Sequence, residues 1–143
     1  MTKLITILFL VFFVIWCTNN TKVENNQKTM KNYEEQIFTQ LSVDDFKKEM
    51  SNSWVVIIDV RTPEELPVYW KISNDELLID INNESFPKQI EKLDKNKKYL
   101  VYCWHWNRSA VARDYMKSLG FSYVKDLEWW IDAWTKAGES IIK

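Results

Sequence analysis

Four short apolar runs, separated by capped helical patterns, constrain this chain more than any other feature. Val55 to Asp59 (VVIID) is an unbroken, largely β-branched run, as expected of a strand covered on both faces. Leu77 to Ile81 (LLIDI), Tyr99 to Cys103 (YLVYC) and Phe121 to Val124 read as further strands. Helix signals lie between them. Ser42 is placed as an N-cap, with Asp45 at the third position and Leu41 and Phe46 set as a hydrophobic staple. Thr62-Pro63-Glu64-Glu65 offers a capping threonine, proline at the first helical position and glutamate at the third. Ser85 to Leu93 and Ser109 to Leu119 follow as helices, the second closed by Gly120, and Ile131 to Lys136 lies in a last helix before Gly138. Alternation of this kind predicts an α/β fold, a parallel β-sheet flanked by helices on both faces. Active loops then belong at the carboxyl ends of the strands, where Asp59, Arg61 and Cys103 fall.

The segment Cys103-Trp104-His105-Trp106-Asn107-Arg108-Ser109 carries the chemistry. A thiol ends a strand, four residues separate it from a guanidinium, and a helix begins directly after. Backbone N–H groups of such a loop, with the helix N-terminus behind them, converge on one centre and favour a thiolate with a lowered pKa. Arg108 is the candidate to brace the loop or to attract an anionic donor. Arg61 fits either part, although Asp59 and Arg61 read more naturally as structural. Cys103 has a plainer reading too, as a buried strand-end thiol. His105, the single histidine, is placed to face the loop mouth, but no ligand set accompanies it, so neither metal nor cofactor is expected.

The N-terminus stands outside this pattern. Lys3 precedes Leu4 to Ile15, twelve residues with only Thr6 polar, which is short for a membrane span and matches the apolar region of a signal peptide. It ends in Val14-Ile15-Trp16-Cys17, similar to a bacterial lipobox with Cys17 as the lipidated residue, except that Trp16 occupies a small-residue position. A plain anchor or ordinary secretion signal is the alternative. Residues 18–32 are polar and aperiodic and read as a flexible tether, leaving 33–143 as the domain. The expected location is therefore extracytoplasmic, at a bacterial membrane. A net charge of −1 with scattered basic residues argues against nucleic acid, and two cysteines build no disulfide framework. A monomer is expected.

From about Leu41 onward the chain resembles the rhodanese-like domain family. Val56-Ile57-Ile58-Asp59-Val60-Arg61-Thr62-Pro63-Glu64-Glu65 matches, as do Cys103 with Arg108-Ser109 and Leu127-Glu128 followed by Ile131-Asp132-Ala133-Trp134. The resemblance implies sulfur transfer through a Cys103 persulfide, with Arg108 bracing the loop through a carboxylate such as Asp59. The departures share one form. Trp70, Trp106, Trp129 and Trp130 stand where the family pattern has glycine, and Trp16 where the lipobox has a small residue. Trp54 and Trp104 occupy positions where glycine would be unremarkable, whereas Trp134 matches a family tryptophan. The chain has 8 Trp and 2 Gly, against about ten glycines at an average usage of about 7%. Random decay would not replace one residue type by one other at such places, and Trp129-Trp130 follows no core periodicity. The reading is a reassigned codon that means glycine in the source organism and is rendered here as tryptophan.

The expected partner is a small sulfur-containing anion or thiol: thiosulfate, a polysulfide or a persulfide as donor, and cyanide or a thiol as acceptor. Two rivals stand beside this. Cysteine phosphatases that resemble this fold place five residues between cysteine and arginine, and four make a smaller cradle. A rhodanese module that senses persulfides or binds a partner without turnover is the other.

Overall fold

The computed structural model describes residues 22–67, 71–104 and 107–142. The chain forms two compact units, Met1–Gln36 and Ile37–Lys143. The expected signal segment and Cys17 lie outside the described residues. The expected tether is corrected in its described part: residues 22–37 form a helix, α1. The stretch lacks glycine and proline and is rich in Lys, Glu, Gln and Met, which are good helix formers. Its residues through 36 are exposed, so propensity rather than burial holds it. Among the described residues no helix is long and apolar enough to cross a membrane.

The second unit runs β1 (Gln40–Leu41), α2 (Val43–Met50), β2 (Val55–Asp59), a 3-10 turn (Pro63–Glu65), β3 (Leu77–Leu78), α3 (Phe86–Glu91), β4 (Lys98–Tyr102), α4 (Arg108–Ser118), β5 (Tyr123–Leu127) and α5 (Trp130–Lys136). Its five strands are parallel in the order β1-β5-β4-β2-β3, so the α/β reading holds. The central pair is in register from Val55↔Lys98 to Asp59↔Tyr102, which brings the carboxyl ends of β2 and β4 side by side. The caps behave as their sequences dictate. Ser42 Oγ accepts from Asp45 N–H at 3.2 Å, and Thr62 N–H donates to Glu65 Oε2 at 2.8 Å.

Three strands differ from expectation: β1, which pairs with β5, stands where no strand is expected, and two others have shifted bounds. The run from Leu77 to Ile81 pairs as β3 only over two residues, after which Ile79 and Ile81 reach back to the Asp59 and Val60 carbonyls. Phe121 belongs to the helix terminus instead of a strand. Gly120 takes a φ of +84°, Phe121 N–H bonds the Met116 carbonyl, and the Phe121 ring stands edge-on to Tyr99 at 5.4 Å. Strand β5 therefore starts at Tyr123 and continues through the polar Lys125 and Asp126.

Alternation along the strands divides the core. Ile58, Tyr99, Val101 and Cys103 pack with Phe86 and Ile90 of α3 and Ala112 and Met116 of α4. Ile57, Leu100 and Tyr102 pack with Phe46 of α2 and with Ile131 and Trp134 of α5. Each face thus carries two helices, and both residues at the end of β4 are fully buried.

Candidate active site

Tyr102 and Cys103 project to opposite faces of the sheet at one height, and a polar cluster surrounds each. On the Tyr102 side, Asp59 and Arg61 are fully buried together. Arg61 Nη2 lies 2.6 Å from Asp59 Oδ2, its Nε 2.8 and 2.9 Å from the two carboxylate oxygens, and its backbone N–H donates to Oδ1 at 3.0 Å. The Tyr102 hydroxyl donates to Asp59 Oδ2 at 3.0 Å and accepts from Arg61 Nη2 at 3.3 Å. Burial works against the Arg61 charge, but Asp59 outweighs it and holds the guanidinium firmly protonated. Glu76 completes the cluster. Its Oε2 accepts from Ser73 N–H at 3.2 Å, whereas its buried Oε1 has no partner among the described residues. Burial pushes the Glu76 carboxyl up, against the Tyr102 hydroxyl, and the nearby negative charge of Asp59 adds to the rise.

The Cys103 side is built from α4. Asn107 precedes the helix in the left-handed region (φ 58°), which asparagine tolerates better than most residues. That turn sets Ser109 over the sulfur. Ser109 N–H points at Cys103 Sγ at 3.4 Å, and the Ser109 hydroxyl oxygen is also 3.4 Å from Sγ. Arg108 forms a two-point ion pair with Glu65, Nη1 to Oε2 at 2.9 Å and Nη2 to Oε1 at 2.7 Å. This corrects the expected brace: Arg108 is held by Glu65, because Asp59 is taken by Arg61. Burial pushes the Glu65 carboxyl up, but Arg108 and the Thr62 N–H outweigh it and hold the group below its usual range. Glu65 was legible in sequence only as a capping residue, and it performs both tasks.

The expectation of a lowered thiol pKa is also corrected. Cys103 is fully buried, and that burial pushes the thiol up; Ser109 and Arg108 oppose it without prevailing. Trp104 is half-buried and packs with the Tyr102 face. His105 and Trp106 lie outside the described residues, as does Trp70. Among the described residues no group of His, Cys, Asp and Glu could hold a metal.

Behind Ser109 stands a residue that sequence reading passed over. Asp126 of β5 is fully buried, with Oδ2 3.4 Å from the Ser109 hydroxyl and 3.1 Å from Gln40 Nε2, and Oδ1 2.5 Å from Arg113 Nη1. Its polar neighbours in β5 concealed it. The turn after β5 closes the site: Ile131 N–H donates to the Cys103 carbonyl at 3.1 Å. Trp129 within that turn has a φ of 58° and is 66% exposed, a backbone state that suits glycine and strains a side chain. Trp134, by contrast, is buried, stacks edge-on to Phe46 and donates Nε1–H to the Ser140 carbonyl at 3.0 Å.

Residues 42–137 match the Rhodanese-like domain family. A tRNA sulfurtransferase of Blochmanniella pennsylvanica is 34% identical over 99 residues, which are 67% of this chain and 20% of that protein. The chain thus spans about one fifth of that relative's length. The thiosulfate sulfurtransferase GlpE of Ectopseudomonas mendocina is 29% identical over 87 residues, 61% of this chain and 76% of that protein. A crystal structure of a rhodanese-related protein from Thermoplasma volcanium superposes with a TM-score of 0.63 at 27% identity, covering 73% of this chain and 98% of that one.

Proposed function

The chain belongs to the rhodanese-like domain family, and on that premise we propose that it is a sulfurtransferase working through a persulfide on Cys103. The observation that carries this reading is the seat of the Cys103 sulfur. It lies at a strand end beneath the Ser109 N–H, with Arg108 fixed beside it by Glu65. The thiolate attacks the outer sulfur of a donor such as thiosulfate. The new S–S bond forms as the old one breaks, and sulfite leaves with the bonding pair. Cyanide or a thiolate then attacks the outer sulfur of the persulfide and returns Cys103 as thiolate, in a two-step covalent cycle. N–H groups at the head of α4 hold the negative terminal sulfur, as an oxyanion hole holds oxygen. Because burial holds the resting thiol protonated, the rate should climb with pH beyond the ordinary thiol range of about 8.5. Thiocyanate formation from thiosulfate and cyanide tests the proposal. It should be abolished by Cys103→Ala in a chain whose melting is retained, and turnover surviving that change would refute it.

Two further parts belong to this reading. Trp16, Trp54, Trp70, Trp104, Trp106, Trp129 and Trp130 are glycine in the native protein, supported by the left-handed backbone at Trp129 and by the contrast with the well-packed Trp134. Peptide masses of the native protein should show glycine at 106 and 129; indole side chains there would exclude it. Cys17 is lipidated and anchors the domain at the outside of a bacterial membrane, supported by the apolar run that precedes it. Detergent-phase partition should be lost in Cys17→Ala, and unchanged partition would refute the anchor.

A further inference from the structure

We propose that Asp126 is a positioning residue for Cys103, acting by competing with the cysteine sulfur for the single hydroxyl proton of Ser109. The inference rests on Cys103 being the reacting thiol. Ser109 is 1% exposed and sits between the two groups, 3.4 Å from Cys103 Sγ and 3.4 Å from Asp126 Oδ2. Both contacts are long, and a serine hydroxyl has one proton to give. With the sulfur protonated, S–H donates to Ser109 Oγ and the hydroxyl donates to Asp126. With the sulfur ionised, the hydroxyl serves best when turned toward it, and it must then leave Asp126.

Asp126 can let it go. Arg113 Nη1 covers Oδ1 at 2.5 Å and Gln40 Nε2 covers Oδ2 at 3.1 Å, so neither carboxylate oxygen depends on Ser109. The hydroxyl therefore has two acceptors of similar reach, and the balance decides how strongly α4 supports a thiolate. The other charged groups around the pair are Arg108 and Arg113 of α4, with Glu65 of the 3-10 turn paired to Arg108. Burial pushes the Asp126 carboxyl up, and Arg113 leads the groups that oppose it. Ser109 is the largest of the influences favouring the Cys103 thiolate, which makes its orientation consequential.

The test is the pH dependence of iodoacetamide alkylation at Cys103 in the full chain, read from the mass of the Cys103 peptide. Asp126→Asn keeps an oxygen for Arg113 and presents an N–H to Ser109 Oγ, turning the hydroxyl toward sulfur. The midpoint should fall by about one pH unit, a tenfold gain in rate on the rising limb. Ser109→Ala should raise the midpoint and erase the response to Asp126→Asn. Gln40→Leu, at an exposed edge residue, leaves Asp126 Oδ2 more dependent on Ser109 and should raise the midpoint. A purely structural Asp126 would move melting and leave the midpoints alone. An unshifted midpoint in a folded Asp126→Asn chain overturns the proposal, as does an equal shift with Ser109→Ala present. Should Asp126→Asn fail to fold, an unshifted Gln40→Leu midpoint overturns it instead. Alkylation needs no sulfur transfer. Shifted midpoints without turnover would sink the sulfurtransferase reading alone, and turnover with fixed midpoints would sink this one alone.

Discussion

Tyr102 and Cys103 are consecutive residues at one strand end, equally buried, and each meets an arginine–carboxylate pair. The pairs differ in how far they are sealed. Asp59 and Arg61 are both fully withdrawn from water and bonded to each other, whereas Arg108 and Glu65 keep side-chain exposures of 15% and 21%. The sealed pair locks β2 to β4 through the Tyr102 hydroxyl. A pair at the rim can hold a loop and still yield to an arriving anion. The alternation of one strand thus separates a cluster that sets the frame from a cluster that can react.

The largest effect should come from breaking the sealed pair. Arg61→Ala strands the Asp59 charge in the core and should destabilise the domain by about 3–5 kcal/mol in urea unfolding. A loss below about 1 kcal/mol would mean that water reaches the cluster and that the two sides are alike. Next comes the rim. Glu65→Ala frees Arg108 and should lower sulfur transfer about ten- to a hundredfold by loosening the loop, with a much smaller shift in melting than Arg61→Ala. If melting falls and turnover does not, the brace belongs to the frame.

Glu76, on the Tyr102 side, responds to pH. Its carboxyl is pushed up by burial, so the folded state binds the proton more tightly than the unfolded chain does. That preference stabilises the fold in acid. It is lost as pH rises from the usual glutamate value of about 4.3 through the raised folded one. Glu76→Gln keeps the shape without the charge and should raise the melting temperature at pH 8 more than at pH 4. An equal shift at both would place the carboxyl in contact with solvent. The smallest effect is expected at the closing turn. Trp129→Gly relieves a left-handed residue and should stabilise by about 1 kcal/mol, while the same change at buried Trp134 should destabilise.

The fold was legible because each level of the sequence agreed with the next. The VVIID run, the Ser42 cap and the Gly120 terminus all sit where their chemistry requires. Strand β5 was misplaced by two residues because Phe121 is a helix-terminal core residue and because Lys125 and Asp126 are polar. The clustering of Cys103, Arg108 and Ser109 was legible, because the loop spacing groups them. Glu65 and Asp126 were not, since their partners are 43 and 17 residues away (Arg108 and Ser109) and only the folded chain unites them. The thiol was misjudged for a related reason: loop spacing reports the N–H groups around a sulfur and carries no record of how completely helices α3 and α4 bury it.

The most direct measurement is the mass of the Cys103 peptide after the chain, carrying glycine at the seven positions, is mixed with thiosulfate or polysulfide and then desalted. This peptide alone should gain one sulfur atom, cyanide should remove it as thiocyanate, and the Cys103→Ala chain should never acquire it. A peptide left unmodified by every sulfane donor in a correctly folded chain would contradict it.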